Sequence, residues 1–270
     1  MLASFFEMLS YDFIVRAFIA GLIISICAAL IGSTLVLRNR SMLGDGLSHV
    51  AFGATAIAIV LGLAPLEFAI PAVILTSFFI LRLSENRQIN NDALIAILSA
   101  SALALGTFLI SIKPGVNIDL NSYLFGSILS ITPHDLILCI LLGLVIVTTF
   151  TILHRQIFAI TFDENFARAI GIKVQLHNTI LAILCSLTVV LGMKMLGALL
   201  VSSLIVFPCL IAINFAKTFR QNIIISVIAS IVCFIIGLTT SYMLNTPSGA
   251  TIVLINLIVL IFATVYNKLK

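Results

Sequence analysis

Arg38-Asn-Arg-Ser-Met-Leu-Gly-Asp-Gly-Leu-Ser-His-Val-Ala-Phe-Gly53 joins two long apolar runs, one near 13–37 and the other near 47–63. A helix rises about 1.5 Å per residue and a hydrocarbon core is about 30 Å thick, so roughly 20 apolar residues make one crossing. The first run exceeds that length and the second approaches it, which makes the stretch the basic turn of a transmembrane hairpin. Asp45 and His49 stand four residues apart just where the second run begins. In so apolar a setting an acid and an imidazole need a partner or a purpose. If the run is helical, the spacing places both side chains on one face.

The rest of the chain repeats the same pattern. Of 270 residues, 61% are hydrophobic and 9% charged, against about 45–50% and roughly 25% in soluble domains. Hydropathy predicts an all-α polytopic membrane protein with further spans near 65–83, 93–112, 135–153, 178–193, 196–214, 222–243 and 250–267, nine in all. They fill residues 1–270 as one transmembrane domain and leave no room for a separate soluble one. Only the turn Gly62-Leu-Ala-Pro-Leu-Glu67 separates the second and third spans, so a single bent element there would lower the count.

The basic residues test the layout independently. Nine spans place eleven of the fourteen Lys and Arg residues, from Arg38 and Arg40 to Lys268 and Lys270, on one side, leaving Arg16, Lys113 and Lys194 on the other. By the positive-inside rule the richer side is cytoplasmic, with the N-terminus outside and the C-terminus inside. The first ten residues are too few to span and read as an interfacial segment. They lack a basic leader region, which argues against a cleaved signal peptide. The five cysteines lie inside apolar runs without paired spacing and read as small buried residues.

Two loops exceed a simple connection. The outer segment, about 113–135, mixes turn residues with an apolar stretch and reads as a re-entrant or surface helix, either a docking surface or a lid. On the basic side, Thr161-Phe-Asp-Glu-Asn-Phe-Ala-Arg-Ala-Ile-Gly-Ile172 opens with acids and ends at Gly171. Phe162, Phe166, Ala169 and Ile170 recur in it at helical spacing, which predicts a short amphipathic helix over 161–172. Such a helix can rest on lipid or serve as a knob for a cytoplasmic partner. The chain has no phosphate-binding G-x-x-x-x-G-K-[ST] loop, so any use of ATP requires another subunit.

Three readings of Asp45 and His49 stand side by side. Asp45 can cap the second span while His49 bonds a neighbouring carbonyl; the two can relay protons; or they can supply part of a divalent metal shell, which takes four or more donors. His134, His154 and His177 lie in or beside loops and read as solvated. Lys194 and Arg16 read as side chains that snorkel to the surface. Tyr11-Asp12 with Leu43-Gly44-Asp45 is a partial match to intramembrane aspartyl proteases. Position 42 is Met where that pattern has Gly, however, and the two acids lie at opposite ends of a span instead of about 3 Å apart.

The stretch Arg38–Gly53, with Phe162–Gly171, Gly197–Ala212 and Pro247–Val253 following in order, resembles the permease subunits of zinc/manganese ABC importers over nearly the whole length. The Gly-Asp-x-Leu-x-His core is specific to that family; the cytoplasmic motif is shared more widely, with vitamin B12 and siderophore permeases. The outer stretch Val116–Gly126 looks more like zinc members than manganese members. The resemblance implies a homodimer in a bacterial-type cytoplasmic membrane, two ATPase subunits bound at the cytoplasmic helix, and metal received from an extracytoplasmic binding protein. It makes Asp45 and His49 metal ligands, and Phe162, Asp163, Glu164, Ala167, Arg168 and Gly171 the coupling residues.

The expected function is therefore import of Zn²⁺, with Mn²⁺ second. The subunit itself is no enzyme: it holds no permanent cofactor, and ATP is used by the partner. No nucleic acid is expected among its partners. The alternative is an ATP-independent metal or proton channel or carrier using the same two residues.

Overall fold

The computed structural model describes residues 12–84, 91–113, 125–126 and 131–269. It is all-α among these residues, with no strand. The helices are α1 (Asp12–Leu37), α2 (Met42–Leu61), α3 (Pro65–Ser84), α4 (Asn91–Ile112), α5 (Pro133–Ile152), α6 (His154–Phe162), α7 (Glu164–Ala169), α8 (Val174–Leu196), α9 (Ala198–Ile213), α10 (Phe219–Leu244) and α11 (Ser248–Leu269).

Eight of these are long and apolar enough to cross a membrane, and the ninth apolar helix, α9, is shorter at 16 residues. The nine agree with the spans expected from hydropathy. The doubtful turn divides two helices: Gly62 adopts φ 72° and ψ 22°, and its N–H bonds back to the carbonyls of Ala58 and Ile59. That left-handed geometry ends α2, as glycine commonly does. Pro65 then opens α3 at the position where its missing N–H costs nothing.

Alternation of direction gathers the helix ends at two poles. Arg38, Glu164 and Asn178 meet at one pole, where Asn267 also approaches Asn214 at 3.4 Å and His154 stacks on Phe219 with ring centres 5.7 Å apart. This is the basic end. At the opposite end Lys194 pairs with Asp135, and Lys113 donates to the Val60 carbonyl.

Helix α1 runs through the middle of the bundle, packed by α5, α8, α9 and α10. Its inward positions are small or compact: Ala17, Ala20, Ile24, Cys27, Ala28 and Ile31 are all buried. Lipid tails are as apolar as leucine, so helices in a bilayer associate through close packing and interhelical hydrogen bonds. Ser230 Oγ donates to the Ser25 carbonyl at 3.0 Å across α10 and α1. All five cysteines are free and buried, as expected of small core residues. The first ten residues, and most of the outer segment 113–135 including nearly all of Val116–Gly126, lie outside the described residues.

Candidate functional site

Helix α2 carries the acid and the imidazole, and its packing decides where they point. A Cβ added at Gly53 would stand 2.6 Å from the Ala102 carbonyl oxygen, and one at Gly44 2.7 Å from Ile205 Cδ1. These glycines let α2 press against the backbone of α4 on one flank and against α9 on another. Twelve of its twenty residues are buried. Met42, Asp45 and His49 remain on the open face, with Met42 56% exposed and the Asp45 and His49 side chains 53% and 29% exposed.

Asp45 Oδ2 and His49 Nε2 are 3.8 Å apart, beyond hydrogen-bond reach. The pair is aligned without being bonded, so both groups keep lone pairs to offer. The capping reading fails here. Ser41 is the N-cap and makes no side-chain cap bond, while Asp45 already sits in the first helical turn. There its charge favours the helix N-terminus without capping it. His49, seven residues beyond Met42, lies about 10 Å along the helix. Among the described residues no group of three or more His, Cys, Asp or Glu side chains could hold a metal ion. Asp45 and His49 are therefore two convergent donors that the described chain does not complete.

The second candidate, expected as one helix over 161–172, is broken. Helix α6 ends at Phe162; Asp163 is extended, at φ −147° and ψ 99°, and its carboxylate accepts the Phe166 N–H at 2.9 Å as the N-cap of α7. An aspartate that can bond the backbone two or three residues on competes with helix continuation, which is why the amphipathic spacing misled. Gly171, at φ 86°, lies just beyond the α7 end. The six residues expected to couple to an ATPase nevertheless come together around this corner. Ala167 is fully buried against Ile160 and Val174, whereas Phe162, Phe166 and Ile170 are 61%, 57% and 56% exposed. Phe162 also packs against Phe158, tilted at 5.1 Å, and edge-on against Phe219 at 5.9 Å.

Glu164 fastens the corner to the bundle. It accepts from Arg168 at 2.9 Å and from Arg38 at 3.0 Å, and Arg38 also donates to Asn178 Oδ1 at 2.8 Å. The Arg38 side chain is 8% exposed. Its burial, and secondarily Arg40, push the guanidinium down to about 10, with Glu164 opposing, so it stays charged at neutral pH. Sequence reasoning counted Arg38 only as a basic flank, because a partner 126 residues away leaves no local signal.

Other residues depart from expectation too. Lys194 does not simply reach for the surface: it donates to Asp135, 3% exposed, at 2.7 Å. Arg16 closes on Asp12 at 2.8 Å. His177 is buried and its Nδ1 lies 2.9 Å from the Lys173 carbonyl, and His154 stacks on Phe219, so neither is simply solvated. His134 is exposed, as expected.

The profile of the ABC 3 transport family matches residues 10–267. The chain belongs to that family. Among family relatives, the manganese import permease ScaB of Streptococcus gordonii is 31% identical, over 90% of this chain and 87% of its own. The zinc uptake membrane protein ZnuB of Haemophilus influenzae is 30% identical, over 90% of this chain and 94% of its own. The solved structure of PsaBC from Streptococcus pneumoniae in complex with Fab superposes at a TM-score of 0.86, with 29% identity and coverage of 97% and 95%. The ABC 3 chain is thus a multi-pass membrane permease, in the family that its sequence motifs indicated.

Proposed function

We propose that this ABC 3 permease is the membrane-spanning subunit of an ATP-driven importer of divalent metal ions, Zn²⁺ before Mn²⁺, into the cytoplasm. The reading rests above all on the open Asp45–His49 face. Two donors of types that suit these ions project from an otherwise packed helix at 3.8 Å, with no third donor beside them among the described residues. A shell of four or more is completed when a second copy, related by a two-fold axis, brings its own pair to the same axis. Substrate metal then sheds water for imidazole nitrogen and carboxylate oxygen, and protonation of His49 loosens its hold and favours release.

Relatives named for manganese and for zinc are almost equally similar to the chain, so the choice of metal rests on the donors. An imidazole nitrogen holds Zn²⁺ more tightly than Mn²⁺. The basic end faces the cytoplasm by its charge. There an ATPase subunit seats on the exposed Phe162, Phe166 and Ile170 around the Asp163–Gly171 corner, and an extracytoplasmic binding protein delivers metal at the opposite end. Hydrolysis belongs to the ATPase, and residues 1–270 act as one permease domain.

Uptake of radioactive zinc into vesicles carrying the assembled complex tests the proposal. His49→Ala should abolish uptake while assembly and basal ATP hydrolysis persist. Wild-type uptake by that variant would remove the pair from the transport path, and wild-type uptake without ATP would favour a channel or carrier.

A further inference from the structure

At the basic end, the last turn of α3, the α1–α2 turn, α7 and the start of α8 enclose a cavity of about 890 Å³. The described residues of its wall include four cations, Arg40, Arg82, Arg168 and Lys173, and one carboxylate, Glu164. That carboxylate is already bonded to both Arg38 and Arg168. Among the described residues lining the cavity, cations therefore outnumber carboxylates, even with Arg168 spoken for by Glu164, at the level of the helix ends.

The side facing away from the bundle is apolar. Phe78 and Leu176 line the cavity and are 45% and 51% exposed. Leu75, Phe78 and Phe79, at helical spacing, continue one exposed strip along α3, at 68%, 45% and 52% exposure. The Arg82 guanidinium lies 5.8 Å from the Phe78 ring centre, joining the charged wall to that strip. Only 22% of the α3 span is buried within the bundle, so the strip is turned outward from the rest of the chain.

We propose that this cavity binds the phosphate of an anionic phospholipid from the leaflet at the basic end, with the acyl chains lying along Leu75, Phe78 and Phe79. Basic pockets between helices at the cytoplasmic face suit such headgroups, each nearby cation strengthening the hold about fivefold. A soluble phosphate would share the cations and leave the apolar strip without a role. Because Arg168 belongs to α7 and Arg82 to α3, one bound headgroup braces the docking corner against the membrane-facing helix.

The test uses the full chain in lipid discs of phosphatidylcholine with or without phosphatidylglycerol, followed by native mass spectrometry of retained lipid. Wild type should retain phosphatidylglycerol over phosphatidylcholine. Arg82→Gln with Lys173→Gln should weaken retention roughly thirtyfold, or about fivefold per charge. Arg40→Gln serves as a second variant if the pair fails to fold, and melting of wild type should rise with phosphatidylglycerol content. Equal retention of both lipids, or undiminished phosphatidylglycerol retention by folded variants, would overturn the proposal. So would the same rise in melting from inorganic phosphate in phosphatidylcholine discs, which marks a soluble anion. Variants that keep the lipid but shed a co-purified ATPase would instead assign the cations to that protein.

Discussion

Arg38 and Glu164, 126 residues apart in the chain, are joined by a hydrogen-bonded ion pair of 3.0 Å that ties the end of α1 to the first residue of α7. Arg38 reaches α8 as well, through Asn178. From α1 the contacts continue inward: Gly32 rests on the Ile205 backbone, and the Ile205 side chain lies against Gly44, next to Asp45. The exposed α6–α7 corner and the candidate ligands thus share one contiguous set of packed elements.

Arg38→Gln should separate hydrolysis from uptake. Removing the guanidinium takes away a charged bond of about 2 kcal/mol and leaves Glu164 with Arg168 alone. ATPase activity of the complex should persist while metal uptake falls several-fold. A double-mutant cycle with Glu164→Gln checks that both residues act through the same bond: the pair should cost little more than either single change.

Phe162→Ala should act differently. The ring is 61% exposed but packs against Phe158 and Phe219, so stability should fall by about 1 kcal/mol at most. Its loss removes an apolar knob, and the amount of ATPase co-purifying with the permease should drop. Unchanged co-purification with full uptake would place the ATPase contact elsewhere on the corner.

Gly53→Ala should push α2 away from α4. The added carbon meets a backbone carbonyl oxygen at 2.6 Å, which cannot rotate aside, so the cost is about 1–3 kcal/mol. Ala102→Gly should fail to rescue it, because the obstacle is the Ala102 carbonyl and not its methyl group. Thermal melting of the two variants and of their combination decides this.

Lys194→Met should destabilise the opposite end by about 3 kcal/mol, since it strands the buried Asp135 carboxylate. Asp135 also accepts from the Thr132 hydroxyl and N–H in a capping box at the start of α5. Adding Asp135→Asn should recover part of the loss, because a neutral amide is far less costly to bury unpaired. Melting in detergent reads both effects.

Much of the candidate site was legible along the chain. Asp45 and His49 could be placed together because i and i+4 are neighbours on any helix, and the residues proposed for coupling because they adjoin one another. The break at Asp163 was not legible: the apolar spacing on either side is helical, and only the bond from Asp163 to the Phe166 N–H shows which competing conformation wins. Nor were the partners of Arg38 and Lys194, which are set by how distant helices pack.

The sequence by itself determined the all-α membrane class and the basic end, since hydrocarbon thickness and backbone hydrogen bonding admit few other solutions; that the Gly62–Glu67 turn divides two helices was left to the structure. It also placed the acid and the imidazole on one helical face. Tertiary structure alone decided that this face is the open one. Gly44 and Gly53 let α2 seat closely on α9 and α4, its Leu47, Val50 and Phe52 turn inward, and Asp45 and His49 are left on the face open to the outside.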